Sequence, residues 1–209
     1  MPETERPSTS SGRRGRPRDP SVDARVAEKV IELYARYGWA GLTFDEVARQ
    51  AKVGKAALYL RWGSKEDLLL DCMIGVRAQR VRQPDPDLRA DLASIAEALF
   101  AFYSSTSGLA YLRLYVECRY VPGLEERWRK QHTTPMFLET RALVHDAVDR
   151  GELPEATSPT IVLDALIGAI TNHVLSTPPE LFEQMQANGP AYIDALIDFV
   201  LAGAGVSVH

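Results

Sequence analysis

From Pro20 onward, apolar residues recur at three- and four-residue spacing along almost the whole chain, the period of a helix buried on one face. Val26, Val30, Ile31, Tyr34 and Tyr37 mark the first such stripe, with Gly38 as its stop signal. Thr43-Phe44-Asp45-Glu46 has the form of a capping box, with a hydroxyl at the cap and a carboxylate three residues later. It predicts a helix over 44–51 that buries Val47, Ala48 and Ala51. Residues 52–54 are left for a tight turn, and Lys55 to Trp62 predict a third helix. Ser64-Lys65-Glu66-Asp67 caps a fourth, running to about Arg82 with Leu68, Leu69, Cys72, Met73 and Val76 on one side. Pro84 and Pro86 then break the chain, and Asp85 is placed to cap the next helix. Further helices are expected at about 87–106, 109–120, 124–150, 159–177 and 189–203, with Pro135 kinking or splitting the third of these. No alternating pattern predicts a strand of useful length. The chain reads as all-α.

The first 18 residues hold no apolar side chain beyond Met1 and are rich in Pro, Ser, Thr and Arg, so they predict a disordered basic arm. Residues 19–82 then form one small helical domain that includes the fourth helix, and residues 83–209 a larger one. Charge divides along the same line. Residues 1–82 carry 16 basic and 11 acidic side chains, whereas residues 83–209 carry 8 and 17, which hides within a net charge of −4. A basic head on an acidic body points to a polyanion at the head alone. The longest strongly apolar stretch, Ile161–Leu175, spans 15 residues and contains Asp164, Asn172 and His173, which reads as too short and too polar to cross a bilayer. The opening is polar and charged rather than leader-like, and two cysteines, Cys72 and Cys118, exclude a disulfide scaffold. Both features fit a cytoplasmic protein.

Two short helices joined by about three residues, preceded by a longer one, have the layout of a helix-turn-helix, whose second short helix lies in the DNA major groove. The residue types suit it. Val47, Val53 and Leu58 can share a core, and Ala48 is small where two helices cross closely. Lys55, Tyr59, Arg61 and Lys65 offer donors and a ring for phosphates and base edges. An ordinary pair of bundle helices would satisfy the same pattern.

The run from Leu42 to Leu69 is more specific. Its Thr-capped helix, its Ala48-x-x-Ala51 core, its Leu58-Tyr59-x-x-Trp62 and its Ser64-Lys65-Glu66-x-Leu68 resemble the DNA-binding domain of the TetR family of transcriptional regulators. The resemblance is strong over about residues 20–75 and continues weakly through an all-α body with Arg150-Gly151-Glu152-Leu153 before its penultimate helix. It implies DNA contacts by Thr43, Phe44, Lys55, Ala56, Tyr59, Leu60, Arg61 and Lys65. Two positions depart from the family pattern: Lys52 stands where Gly is usual at the turn, and Gly54 where Ser usually caps the recognition helix. The Arg13-Arg14-Gly15-Arg16-Pro17-Arg18 arm is similar to minor-groove hooks, which adds Arg14, Arg16 and Arg18 as candidates.

For the body, the resemblance implies a homodimer, a palindromic double-stranded operator and a small-molecule effector, with release from DNA on binding it. Phe102, Tyr103, Tyr111, Tyr115, Phe137 and Asn172 are the candidate pocket residues, with Arg113, Glu117 or His145 as polar anchors. Ile161, Leu166, Ile170, His173, Ile193, Leu196, Phe199 and Val200 are the candidate dimer residues, since a helix apolar almost all round needs partners on both sides. No catalytic motif is present: Gly54-Lys55 lacks the upstream Gly of a P-loop, and His145 with Asp149 lacks a third metal ligand. No cofactor, metal or membrane is expected. The competing reading is a helical small-molecule-binding protein or enzyme whose head no longer binds DNA.

Overall fold

The computed structural model describes residues 20–78 and 87–206. Among them the order is α1 (Pro20–Gly41), α2 (Phe44–Ala51), α3 (Lys55–Arg61), α4 (Lys65–Ala78), α5 (Leu88–Tyr103), α6 (Thr106–Glu117), α7 (Leu124–Trp128), α8 (Thr134–Asp149), α9 (Pro159–Ser176), α10 (Phe182–Ala187) and α11 (Gly189–Gly203). No strand occurs among the described residues. The arm, including Arg14, Arg16 and Arg18, lies outside them, as do Asp85 and the expected end of the fourth helix.

Local signals account for most of these boundaries. Thr43 accepts from the Glu46 amide at 3.2 Å, as its capping box requires. Asp87 caps α5 by accepting from the Arg89 amide, two residues later than the expected Asp85. Gly38 leaves helical geometry at φ 66°, ψ −163°, so α1 is two helical pieces across a kink. An added Cβ there would lie 2.4 Å from the Arg113 guanidinium, which would have to move aside. Tyr37, expected in the core, is instead half exposed beneath Arg36, and Leu33 is buried in its place. The segment expected at 124–150 is split by a π-helical turn at Arg129–Thr133, immediately ahead of Pro135. A short 3-10 turn and α10 fill residues 179–187, where no helix was expected.

One contiguous core runs through the molecule. In the head, α1 packs on α2 and α4; in the body, α5, α8, α9 and α11 pack together. The two regions meet chiefly where α1 lies on α6. Arg113 donates to the Ala35 carbonyl at 3.1 Å, and Glu117 accepts from the Trp39 amide at 3.0 Å. Arg127, on α7, pairs with Asp67 at the start of α4. Glu152 accepts from the Leu88 amide at 2.9 Å, so the Arg150–Leu153 segment completes the cap of α5. Helix α9 has the length and mean hydropathy of a membrane span, unlike the shorter stretch read from sequence. Its Val162, Leu163, Leu166, Ile170 and Val174 stripe is nevertheless buried in the chain's own core.

Candidate nucleic-acid interface

Helix α3 is seven residues long and divides into an inner and an outer face. Leu58 and Trp62 turn inward, and Trp62 Nε1 donates to Asp71 on α4 at 2.9 Å, which holds the end of α3 to the fold. The facing read from sequence agrees. A 100° step per residue then turns Tyr59 outward, and it is 52% exposed. Leu60 is 89% exposed, and Lys55 and Ala56 are also exposed. The turn ahead of α3 adopts the left-handed conformation at Lys52, φ 55° and ψ 48°, at a cost of about 1 kcal/mol that Gly would not incur. Gly54 caps α3 without a side-chain acceptor.

Three expected contacts are placed differently. Phe44 is buried, and its ring lies flat against Tyr59 at 4.3 Å between centroids, so it supports the outer ring rather than forming the surface. Arg61 turns toward α1 and pairs with Asp23. Lys65 reaches back to donate to the Trp39 carbonyl at 2.8 Å, with its ammonium 4.0 Å from the Trp39 ring centroid. Burial lowers the Lys65 pKa accordingly. These three serve the head's own structure. Thr43 stays exposed at the cap of α2, and Lys55 Nζ pairs with Asp45 in the first turn of α2 at 2.6 Å. Glu46 is drawn down to about 2 by hydrogen bonds from Arg49 and Gln50. Neither Asp23 nor Asp45 was singled out in the sequence, because nothing in local spacing pairs either with α3.

The body sorts its candidates too. Phe102, Tyr103 and Tyr111 come together, with Phe102 edge-on to Tyr111 at 5.6 Å. Trp128 and His132 complete this cluster; both are fully buried, 4.1 Å apart between rings, and both pack on Tyr111. Their four-residue spacing on a helical stripe was the available signal. Trp128 Nε1 is buried with no acceptor among the described residues. Tyr115, Phe137 and Asn172 are exposed and do not join the cluster. Arg113 and Glu117 serve the α1–α6 junction, and His145 is exposed.

Among the expected dimer residues, Leu166, Ile170, Ile193 and Val200 are buried within the chain, because α9 and α11 turn these stripes toward each other and α5. His173 stacks on Tyr192 at 4.0 Å, and Leu196 is partly buried. Ile161 and Phe199 face outward, 70% and 75% exposed. They flank a groove of about 420 Å³ between α9 and α11, lined also by Pro154, Ala165, Gly203 and Ala204. No trio of His, Cys, Asp or Glu among the described residues is placed to hold a metal ion.

Comparison with known proteins covers both regions. Residues 29–72 match the family described as bacterial regulatory proteins, tetR family, and residues 83–200 the tetracyclin repressor-like C-terminal domain. An uncharacterized HTH-type transcriptional regulator of Bacillus subtilis, YdeS, is 27% identical over 81% of this chain and 86% of its own length. An HTH-type transcriptional repressor of Streptomyces coelicolor is 26% identical over 90% of this chain and 95% of its own. Among solved structures, the TetR family transcription regulator SCO0332 superposes with a TM-score of 0.59 at 26% identity, covering 88% of this chain and 98% of that one. The transcriptional regulator FadR of Bacillus subtilis, in complex with stearoyl-CoA, shares the fold at a TM-score of 0.68 and 16% identity, over 89% of this chain and 99% of that one.

Proposed function

This chain belongs to the TetR family of bacterial regulatory proteins, and from that membership we propose that it is a dimeric, cytoplasmic repressor released from a palindromic operator by a small molecule. It is a DNA-binding transcriptional regulator and not an enzyme. A head that has lost DNA binding is not favoured, since α3 keeps an outward face of Lys55, Ala56, Tyr59 and Leu60 above a firm inner anchor of Leu58 and Trp62. That two-faced helix is the observation that carries the reading. One such helix reads a half-site, and a two-fold axis supplies the other. The groove between α9 and α11 with its exposed Ile161 and Phe199 supports a second copy as the occupant, because a patch on a two-fold axis meets itself. The domain division proposed is an arm at 1–18, a head at 19–82 and a body at 83–209.

The effector is proposed to enter at the Tyr103–Tyr111–Trp128–His132 cluster, where an acceptor atom on the ligand would satisfy Trp128 Nε1. The FadR structure of the same fold holds an acyl-CoA, which supports an organic effector without identifying this one. Release requires the ligand to favour the non-binding state by only about 3 kcal/mol for a loss of roughly 100-fold in DNA affinity. The repressor named in Streptomyces coelicolor supports repression as the sign of control. The test is selection of bound duplexes from a random DNA pool by the full chain. An enriched inverted repeat is expected; a pool without enrichment would exclude the reading.

A further inference from the structure

The recognition helix carries two cations, and each is held by a carboxylate from another helix. Lys55 Nζ sits 2.6 Å from Asp45 at the start of α2, and Arg61 is paired with Asp23 on α1. Arg49, on the neighbouring helix, is held by Glu46. Residues 20–78 contain nine basic and eight acidic side chains, so the positive surplus of residues 1–82 comes almost wholly from residues 1–19 and 79–82. Non-specific affinity for DNA is a counterion effect, proportional to the number of free cations that phosphates can neutralise. A recognition helix whose own two cations are already paired forgoes their share of it.

Among these pairs the Lys55–Asp45 bridge stands on the outer face. The Asp45 side chain is 74% exposed and that of Lys55 47%, and Lys55 Nζ also lies 5.8 Å from the centre of the exposed Tyr59 ring. Asp45 raises the Lys55 pKa through the same contact. We propose that Asp45 is a specificity-determining residue, an internal competitor that occupies Lys55 until a base edge, rather than a phosphate alone, replaces it. The inference rests on α3 entering the major groove. A phosphate offers Lys55 an anion much like the carboxylate it would give up, and brings negative charge against Asp45 as well. The exchange gains little. On the cognate site Lys55 exchanges Asp45 for acceptors on bases, while Tyr59 and the rest of the face engage at the same moment. Asp45 thus penalises the wrong duplex more than the right one.

The experiment compares the full chain with Asp45→Asn, Lys55→Met and the double variant. Each is titrated against a labelled duplex bearing the sequence selected by the wild type and against a scrambled duplex of the same composition, over a series of salt concentrations. Circular dichroism melting verifies that each is folded. Asp45→Asn should tighten binding to the scrambled duplex by about threefold per subunit, the upper part of the range for an exposed ion pair, and so about tenfold for a dimer. Its salt slope on that duplex should steepen by about 0.9 per freed lysine. Affinity for the selected duplex should change less, so the ratio of the two falls. In the Lys55→Met background, Asp45→Asn should lose most of this effect. Unchanged or weaker binding to the scrambled duplex, or an equal gain with and without Lys55, would overturn the role of Asp45 while leaving the DNA-binding reading intact. Failure of the wild type to bind any duplex would overturn both.

Discussion

The outer face of α3 and the α9–α11 groove both leave large side chains in solvent, but they do so in different chemical company. Tyr59 stands 5.8 Å from the Lys55 ammonium, itself paired with Asp45, and the exposed Leu60 follows it on the same helix. Ile161 and Phe199 stand among Ala165, Gly203, Ala204 and Pro154, with no charged side chain lining the groove. Exposure beside paired charge suits a polyanion, which can take over the ions. Exposure beside small apolar residues suits a surface that closes against its own image and expels water at about 25 cal/mol per Å². Under the proposed function, similar exposure therefore serves two kinds of partner, and the neighbours decide which.

Several substitutions separate the two faces. The largest effect is expected from Ile161→Glu combined with Phe199→Glu. Charges on the groove should give a monomer in sedimentation and, by removing one half-site contact, lower affinity for an inverted repeat on the order of 100-fold or more. A double variant that remains dimeric would move the interface elsewhere. Next come the two sides of α3. Trp62→Ala should cost about 3–5 kcal/mol of stability through the cavity it leaves, measured by denaturant unfolding. Tyr59→Ala should leave the melting temperature nearly unmoved and weaken DNA binding by about tenfold, the scale of a 1.4 kcal/mol contact. The reverse pattern would show that α3 is turned the other way.

Smaller effects follow. Lys65→Ala should lower stability by about 1 kcal/mol, the worth of its hydrogen bond to the Trp39 carbonyl, without changing the salt slope of DNA binding. A shallower slope would return Lys65 to the phosphate-contacting set. Removal of residues 1–18 should leave melting unchanged and reduce affinity a few-fold, most on A·T-rich flanks. Equal affinity with and without the arm would make it a bystander.

The contrast also explains what could be read in advance. Thr43 with Glu46 is a local signal, and α2 begins where it places it; α9 and α11 begin at 159 and 189 as their periodicity predicts. The facing of α3 follows from the four-residue step between Leu58 and Trp62. The partners of Arg61 and Lys65 do not, because Asp23 and the Trp39 carbonyl are 38 and 26 residues away, and no local pattern carries that distance. The dimer candidates failed in part for a related reason. A helix as apolar as α9 shows that it is covered on most sides, but not which stripe its own fold covers, so Leu166 and Ile170 were assigned outward and lie inward. Helix α10 was missed because six residues after two prolines offer less than two turns of period.

The junction at Gly38 has a consequence for protein engineering. The Trp39 backbone is held on both sides of its Cα, its N–H donating to Glu117 of the body and its carbonyl accepting from Lys65, three residues beyond Trp62 at the end of α3. The kink that presents it has a left-handed φ of 66° at Gly38, which favours glycine, and an added Cβ would displace the Arg113 guanidinium. Heads and bodies of this chain are therefore not interchangeable parts. A chimera that takes its reading head from this protein and its body from a relative inherits half a joint unless it also carries Arg113 and Glu117 on α6. Transplants cut between α4 and α5 would divide the chain at its most convenient point and the molecule at its least.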